Sequence, residues 1–455
     1  MHWNPLSATT SRIGLLAAGL LSAFALAGPV RAADPIKIGF SMAQTGPLAG
    51  SGKSALLAMK IWAEDVNAKG GLLGRPVQLV YYDDQSAPSN VPAIYTKLLD
   101  VDKVDLINSG YATPIIAAAI PIAMQHDMVL LGLFGLADNA QFKYDKYFGM
   151  APIGENPAAS GTRPIFELAK TMTPAPTRVA VMTPDIQFGH SVLEGVRAAA
   201  KESGMTVVYD RTFPPATTDF TTIVRELKSS TPDMVVIGTQ PGQSINVVRA
   251  INEVGLETML VGGAMTGLQT TDAETILGPQ LNGFVNYAYW LPAPKLQFPG
   301  SMEFLTKYQA RAKSEGVDPI GYYLAPWAYA DLQILGEAVE ATKSLDGDKL
   351  GPYMHATTFN TIIGDVAFGP SGEWSRPRQF MIQYQNVKTN TVNEFMGTEK
   401  LVIVAPADHE VGRARLSVPE RPQVSLPRAG ACGKRALAGI SGENGRPTWS
   451  FHSIS

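Results

Sequence analysis

Residues 36–84 constrain the fold of this chain most strongly, because the spacing of their apolar side chains changes twice. Residues 36–40 are apolar at every second position, which is typical of a buried strand. Residues 56–66 place apolar side chains on one helical face, and Gly70 is typical of a helix end. Residues 77–81 alternate again. Two strands joined by a helix predict a parallel pair, and such sheets bind ligands at the carboxyl ends of their strands.

The same alternation continues along the chain and predicts an α/β fold with two lobes, each built on a parallel sheet. Further strands are expected at residues 105–109, 128–134, 178–182, 205–209, 234–238, 259–261, 284–289, 365–368 and 379–384. One lobe is expected to comprise residues 34–150 and 290–360, and the other residues 151–289 and 361–405. The chain then crosses between the lobes about three times, and such a multi-strand hinge allows the cleft between the lobes to close.

The N-terminal residues predict a secretory signal peptide over residues 1–32, cleaved after Ala32. Arg12 precedes the apolar residues 13–26, and small residues lie at the cleavage positions. A membrane anchor would need about 20 apolar residues, but Gly28 and Pro29 interrupt this run. Because no cysteine lies near the cleavage site, a lipid anchor is not expected. The mature chain is therefore expected to be exported and soluble.

The composition indicates a well-buried globular protein, since 45% of the 455 residues are hydrophobic and only 17% are charged. A net charge of −3 gives no indication of a nucleic-acid-binding surface. Cys432 is the only cysteine, so an intramolecular disulfide is excluded. Residues 406–455 are rich in Pro, Gly and Arg without apolar periodicity, which predicts a poorly ordered tail.

Two motifs invite a catalytic interpretation. Gly52, Lys53 and Ser54 resemble the end of a phosphate-binding loop, but Pro47 stands where that loop needs a glycine. Nucleotide hydrolysis is therefore not expected. The acids at residues 83–84 follow a strand, but no histidine or third acid lies at ligand spacing, which favours a capped loop over a metal site. Neither a metal nor a cofactor is expected.

The loops at the predicted strand ends share small, hydroxyl and aromatic residues. Binding clefts combine apolar walls with a few orienting polar groups, so these loops are the candidate ligand site. The candidate ligand-binding residues are Ser51, Tyr111, Thr113, Phe134, Gly135, Phe188, Gln240 and Met265. Thr266, Tyr322 and Tyr323 lie in similar loops.

Several motifs together resemble the leucine/isoleucine/valine-binding family, the type I periplasmic solute-binding proteins of ABC transporters. The similarity covers about residues 34–405. The matching motifs are IKIG at 36–39, TGPL at 45–48, DVNAKGGLLGRP at 65–76, YDDQ at 82–85, QFG at 187–189, DFT at 219–221 and PD at 232–233. The resemblance implies two Rossmann-like lobes joined by a hinge, and capture of a small solute for a membrane permease.

The family's site residues are expected at particular positions of this chain. The resemblance implies that Thr113 and residues 134–136 hold a ligand carboxylate, that Phe188 forms an aromatic lid and that Gln240 is a polar contact. The acid that pairs with a substrate amino group in the family would fall near Ala264, where no acid is present. A buried ammonium without its partner costs about 2–5 kcal/mol. Amides, ureas or aromatic carboxylates are therefore expected rather than branched-chain amino acids.

The sequence thus predicts a monomeric periplasmic receptor that binds a small solute and delivers it to the permease subunits of an ABC transporter, without enzymatic activity. Two alternatives stay open. The same lobes could sense a ligand and regulate a partner. An exported hydrolase could instead use Asp83 and Asp84, and in that case Asp83→Ala would abolish turnover of amides or esters.

Overall fold

A computed structural model of the chain describes residues 1–3, 34–137, 139–406, 412, 414 and 415. The contacts within the chain divide it into a unit of Met1–Pro419 and a unit of Glu420–Ser455, and all described residues belong to the first unit. The predicted signal peptide, apart from residues 1–3, lies outside the described residues, as does nearly all of the predicted tail with Cys432.

The first sheet is parallel, and its three strands are arranged in the order β2-β1-β3. A separate parallel pair, β4 with β5, continues beside it, because the Ser109 N–H donates to the Leu131 carbonyl oxygen at 3.0 Å. The strands and helices are β1 Ile36–Ser41, α1 Ala49–Asn67, β2 Val77–Tyr82, α2 Val91–Thr96, β3 Leu106–Ile107, α3 Thr113–Gln125, β4 Leu130–Gly132 and β5 Tyr147–Gly149.

The second sheet has seven strands in the order β14-β13-β10-β9-β8-β6-β7. Strands β6 to β10 pair in parallel, whereas β13 and β14 are antiparallel additions at one edge. The elements of this part are α4 Pro157–Ser160, α5 Arg163–Lys170, β6 Arg178–Pro184, α6 Gln187–Ser203, β7 Thr206–Phe213, α7 Thr221–Ser229, β8 Met234–Thr239, α8 Pro241–Val254, β9 Leu260–Met265, α9 Thr271–Leu277 and β10 Phe284–Ala288.

After β10 the chain forms three helices and a hairpin before it returns to the second sheet. The remaining elements are α10 Ser301–Glu315, α11 Ala325–Thr342, α12 Gly347–Ala356, β11 Thr358–Thr361, β12 Gly364–Ala367, β13 Phe380–Tyr384, α13 Val392–Phe395 and β14 Leu401–Ala405. No helix among the described residues combines the length and the apolar character that a membrane crossing requires.

Helices α10 and α11 pack against α1. The Ser54 and Tyr308 hydroxyls lie 2.6 Å apart in the buried interface. Asp65 of α1 binds the Lys307 ammonium at 2.7 Å and accepts a hydrogen bond from the Tyr329 hydroxyl at 3.0 Å. Helices α10 and α11 thus pack against the helix after the first strand, although they follow most of the second sheet in sequence.

In both lobes, a glycine allows the helix after the first strand to pack closely against the end of that strand. A Cβ atom on Gly52 would lie 2.1 Å from the Ala43 carbonyl oxygen, and one on Gly189 would lie 1.9 Å from the Pro184 carbonyl oxygen. Only glycine permits so close an approach of helix and strand end. The glycine of the Gly52-Lys53-Ser54 motif therefore serves helix packing.

The boundaries of several elements differ from those expected from the sequence. The same alternation of strands and helices predicts a helix over residues 92–101, but α2 ends at Thr96 and a π-helical turn follows at Lys97–Val101. Residues 157–171 form two short helices. Six short elements were not predicted, namely β5, α9, α12, β11, α13 and β14. Pro352 lies inside α12, and helix-breaking residues of this kind conceal a helix from pattern reasoning.

Candidate functional site

A cleft lies where the carboxyl ends of strands from both sheets face each other. Its cavity volume is about 80 Å³, and the empty space rises to about 770 Å³ when the open solvent at its mouth is counted. The loops after β3 and β4 contribute the first wall, and the loops after β6, β8 and β9 contribute the second. The lining residues that bear on the chemistry are Tyr111, Thr113, Phe134, Gly135, Leu136, Thr162, Phe188, Gln240, Ala264, Thr266, Tyr287, Tyr289, Tyr323 and Gln379.

Six of the eight candidate residues line this cleft: Tyr111, Thr113, Phe134, Gly135, Phe188 and Gln240. The other two lie elsewhere. Ser51 is buried on α1, where it hydrogen-bonds Tyr111 and borders a separate depression. Met265 is fully buried, and its N–H donates to Asn286 Oδ1 at 3.1 Å. The structure therefore brings together the predicted residues of the strand-end loops, whereas Ser51 and Met265 do not face the cleft.

Phe134 is the centre of an aromatic cluster in the first wall. Its ring centroid lies 4.9 Å from that of Tyr289, 5.6 Å from that of Tyr323 and 4.9 Å from that of Trp327, all edge-to-face. Such aromatic pairs are favourable beyond the area they bury. The backbone of Phe134 has a φ of 53°. A bulky residue rarely adopts this conformation, and strain of this kind concentrates at functional sites.

Thr113 and Gly135 shape the loop beside Phe134. The Thr113 hydroxyl accepts a hydrogen bond from the Leu136 N–H at 2.8 Å, so its own proton is left to donate to a solute. A Cβ atom on Gly135 would lie 2.6 Å from Ile116 Cδ1 and 3.0 Å from Thr113 Cα. Glycine is therefore needed to bring this loop against the start of α3.

Three tyrosine hydroxyls meet in the cleft. The Tyr323 hydroxyl lies 3.1 Å from that of Tyr111 and 3.2 Å from that of Tyr287. Burial raises the pKa of Tyr287 and of Tyr323 well above the usual value, so both stay neutral. Tyr287 and Tyr289 were missed in the sequence, although their spacing of two residues at the end of β10 places them on one face of a strand.

The polar groups of the second wall are partly engaged in local structure. The Gln240 side chain caps α8 by accepting a hydrogen bond from the backbone of Gln243. The Thr266 hydroxyl donates to the Thr239 carbonyl oxygen at 2.8 Å. Phe188 is half-buried near the start of α6, and its ring offers an apolar aromatic surface rather than a hydrogen-bonding group.

The cleft is electrically neutral. No Asp, Glu, Lys, Arg or His is among the described residues that line it. Ala264, near which the resemblance implies an acid, lines the cleft. Among the residues that the structure describes, no group of three His, Cys, Asp or Glu side chains could hold a metal ion. What the walls offer instead is aromatic surface with neutral hydrogen-bonding groups.

Asp83 and Asp84 organise the loop before α1. Asp83 accepts hydrogen bonds from the Gln44 N–H at 2.9 Å and the Thr45 hydroxyl at 2.7 Å. Partial burial opposes ionisation, but these hydrogen bonds outweigh it and hold the pKa of Asp83 below its usual value. Burial raises the pKa of Asp84, which accepts from the Ser41 hydroxyl at 2.9 Å. Both acids act here as acceptors that hold the loop in place.

A buried carboxyl group lies beneath the first wall. Asp331 is on α11, one turn beyond Trp327, and its Oδ2 accepts from Asn108 Nδ2 at 2.7 Å. Asn108 lies three residues before Tyr111 in the loop after β3. Burial raises the pKa of Asp331 to about 7, while the Asn108 hydrogen bond opposes this rise.

Asp331→Asn is expected to change how stability depends on pH. The folded pKa of about 7 lies above the ordinary value of 3.8, so between these values the folded chain holds a proton that the unfolded chain has released. The stability that this proton provides is complete below the unfolded pKa and is lost as the pH rises through 7. The unsubstituted protein should therefore lose, through Asp331, about 1 kcal/mol of unfolding free energy per pH unit between these two pKa values, and the variant should not. The free energy of unfolding of the variant minus that of the unsubstituted protein should rise by the same amount.

Urea unfolding at pH 5, 6, 7 and 8 measures this difference. The comparison between the two proteins is needed because Glu274 is also buried, with its pKa raised by burial, and shifts stability in the same direction in both. A difference between the variant and the unsubstituted protein that stays constant over this range would contradict the assignment.

Comparisons with known proteins identify the family. Residues 35–390 match the sequence model of a family described as periplasmic binding protein. The Leu/Ile/Val-binding protein of Escherichia coli (strain K12) is 23% identical over 345 residues, which cover 75% of this chain and 88% of that protein.

Two solved structures share the fold. The branched-chain amino acid transporter substrate-binding protein from Streptococcus pneumoniae, in complex with isoleucine, has a TM-score of 0.68 at 19% identity and covers 79% of this chain and 98% of its own. An ABC-transporter solute-binding protein from Rhodopseudomonas palustris HaA2, in complex with p-hydroxybenzoic acid, has a TM-score of 0.68 at 20% identity and covers 84% and 98%. The chain therefore belongs to the periplasmic binding protein family and has the two-lobed α/β fold of its type I members.

Proposed function

We propose that this protein is the solute-binding receptor of an ABC transporter and that its solute is a small aromatic molecule, such as an aromatic acid or amide. The observation that carries this proposal is the composition of the cleft, in which aromatic rings surround neutral hydrogen-bonding groups and no described lining residue is charged.

The missing acid at Ala264 argues against an amino acid. A substrate ammonium would lose its hydration in the cleft without an anionic partner, and that loss costs several kcal/mol. An aromatic ring, in contrast, gains from contact with Phe134 and Phe188, and the Thr113 hydroxyl is available to donate to a carbonyl or carboxylate oxygen. One structural relative holds p-hydroxybenzoic acid, which is a solute of this kind.

Transport follows from the two lobes. A solute that contacts both walls stabilises the closed arrangement only in so far as it binds that arrangement more tightly than the open one. In this proposal the closed form docks on a membrane permease, and the chain reaches the periplasm after cleavage of residues 1–32. The lobes are residues 34–150 with 290–360 and residues 151–289 with 361–405.

A thermal-shift experiment tests the class of solute. The mature chain is heated with benzoate, 4-hydroxybenzoate, benzamide, phenylurea or leucine. Aromatic solutes are expected to raise the melting temperature, because a ligand that binds only the folded state stabilises it, and leucine is expected to leave it unchanged. A shift with leucine and none with any aromatic solute would refute the proposal.

Phe188→Ala is expected to weaken the binding of an aromatic solute about tenfold, because the ring contributes a face of the second wall while being only half-buried itself. Isothermal titration calorimetry measures the dissociation constant. Phe298→Ala is the matched control, since Phe298 is also half-buried but contacts Arg378 outside the cleft. An unchanged dissociation constant in Phe188→Ala would remove Phe188 from the site.

A further inference from the structure

Two buried polar side chains line the cleft without using their full hydrogen-bonding capacity. Thr162 is 5% exposed and Gln379 is 8% exposed. Within the described part of the chain, neither Thr162 Oγ1 nor Gln379 Oε1 has a hydrogen-bond partner. Buried polar atoms in folded proteins are almost always paired, so two such atoms in one cleft indicate a missing partner.

The orientation of the Gln379 amide is determined by its neighbour. Gln379 Nε2 donates to the Gly161 carbonyl oxygen at 2.9 Å. A flipped amide would place two acceptor oxygens against each other, so Oε1 is the atom that stays open. That oxygen can only accept, and the missing partner must therefore be a hydrogen-bond donor.

Thr162 occupies a position at which a threonine side chain normally caps the helix. It is the N-cap residue of α5, yet its side chain makes no capping hydrogen bond. A threonine at an N-cap usually accepts from the backbone of the first turn. Here the hydroxyl has no hydrogen-bond partner among the described residues, in a side chain that lines the cleft.

Thr162 and Gln379 line the same cleft as Thr113. A Cβ atom on Gly161 would lie 3.6 Å from Leu136 Cδ2, and the Leu136 N–H donates to Thr113 Oγ1. The cleft thus contains two threonine hydroxyls and one obligate acceptor. A bare carboxylate would place an anionic oxygen against Gln379 Oε1, whereas a hydroxyl or an amide both accepts from threonine and donates to glutamine.

We propose that Gln379 and Thr162 select solutes that carry a hydrogen-bond donor, a hydroxyl or an amide N–H, over solutes that carry acceptors only. This rests on the proposed function and specifies its solute further. Sites built to bind a donor reject the analogue that lacks it, because the buried partner is left unpaired.

Calorimetry with three matched solutes tests the selection. Benzoate has acceptors only, whereas 4-hydroxybenzoate adds a hydroxyl and benzamide adds an N–H donor. The unsubstituted protein is expected to bind at least one of the two donor solutes about 30-fold or more tightly than benzoate. If 4-hydroxybenzoate binds more tightly than benzamide, the preferred donor is a phenolic hydroxyl. If benzamide binds more tightly, it is an amide N–H.

Two variants connect the selection to these residues. Gln379→Met and Thr162→Val remove the open polar atoms with little change in volume. Each is expected to weaken the preferred donor solute about tenfold or more and benzoate less than threefold. Gln379→Met also loses the hydrogen bond to the Gly161 carbonyl oxygen. If that variant does not fold, Thr162→Val alone tests the selection.

Thr183→Val is the matched control, because Thr183 Oγ1 is also buried without a partner among the described residues, but Thr183 does not line the cleft. It should not reduce the preference for the donor solute. If the unsubstituted protein bound benzoate as tightly as both donor solutes, or if the two variants weakened all three solutes equally, the selection would be refuted while the receptor function stood. A failure of all aromatic solutes to bind would instead refute the proposed function together with this inference.

Discussion

Phe134→Ala is expected to raise the dissociation constant for an aromatic solute by about 100-fold or more, the largest effect on binding of any single substitution in the cleft. Phe134 lines the cleft and also contacts Tyr289, Tyr323 and Trp327 edge-to-face. Its removal therefore eliminates one wall and releases the neighbouring rings. Calorimetry with the best-binding aromatic solute measures the change, and thermal unfolding reports the accompanying loss of stability, which for Phe→Ala in a core is about 3–5 kcal/mol.

Two controls separate the loss of the wall from a general loss of stability. Phe395→Ala removes an equally buried ring that packs on Tyr384 in the second sheet, far along the chain from the cleft loops. It should lower the melting temperature and leave the dissociation constant unchanged. Phe134→Leu keeps much of the volume and should fall between Phe134→Ala and the unsubstituted protein. Equal dissociation constants in Phe134→Ala and Phe395→Ala would contradict the role of Phe134.

Gly262→Ala is expected to have the largest effect on folding and to leave little soluble protein. Gly262 lies in β9 with a φ of 130°, and a Cβ atom there would lie 1.8 Å from the Val285 carbonyl oxygen of β10. Neither strand can move aside, because both are interior strands of the seven-stranded sheet. The loss should exceed about 4 kcal/mol, a size that indicates a specific steric conflict. Soluble yield and urea unfolding measure it.

Gly255→Ala is the matched control for this prediction. Gly255 ends α8 with a φ of 64°, but a Cβ atom there would have no neighbour within 4 Å. The same substitution should therefore cost only the backbone strain of a left-handed alanine, about 1–2 kcal/mol. A stable, soluble Gly262→Ala protein that unfolds like Gly255→Ala would show that the β9–β10 contact is not as tight as the structure indicates.

Much of the fold follows from the sequence because its elements are periodic and clearly bounded. Helix α1 and strands β1 and β2 are present as expected, since the apolar spacing and the glycines after α1 agree with each other. The short strand β14 was not predicted, because a five-residue apolar run has no distinct period. Its role is determined by pairing with β13, which is a contact between distant parts of the sheet.

The candidate site was predictable only in part. The rule that ligands bind at the carboxyl ends of parallel strands leads to Thr113 and Phe134, because they lie in the segments that follow β3 and β4. The rule says nothing about Thr162 and Gln379, which reach the cleft from a helix start and from the segment before β13. The importance of these two residues depends on which of their atoms lack partners, and only the folded contacts show that.

The edge of the second sheet has a consequence for synthesis. Strand β10 is fully buried, and its outer neighbour β13 begins more than ninety residues later at Phe380. Until that segment leaves the ribosome, β10 presents an unpaired apolar edge of the kind that joins other chains. Nascent or truncated chains that end before β13 should therefore aggregate, and a holding chaperone would be most useful while the residues between β10 and β13 are being added.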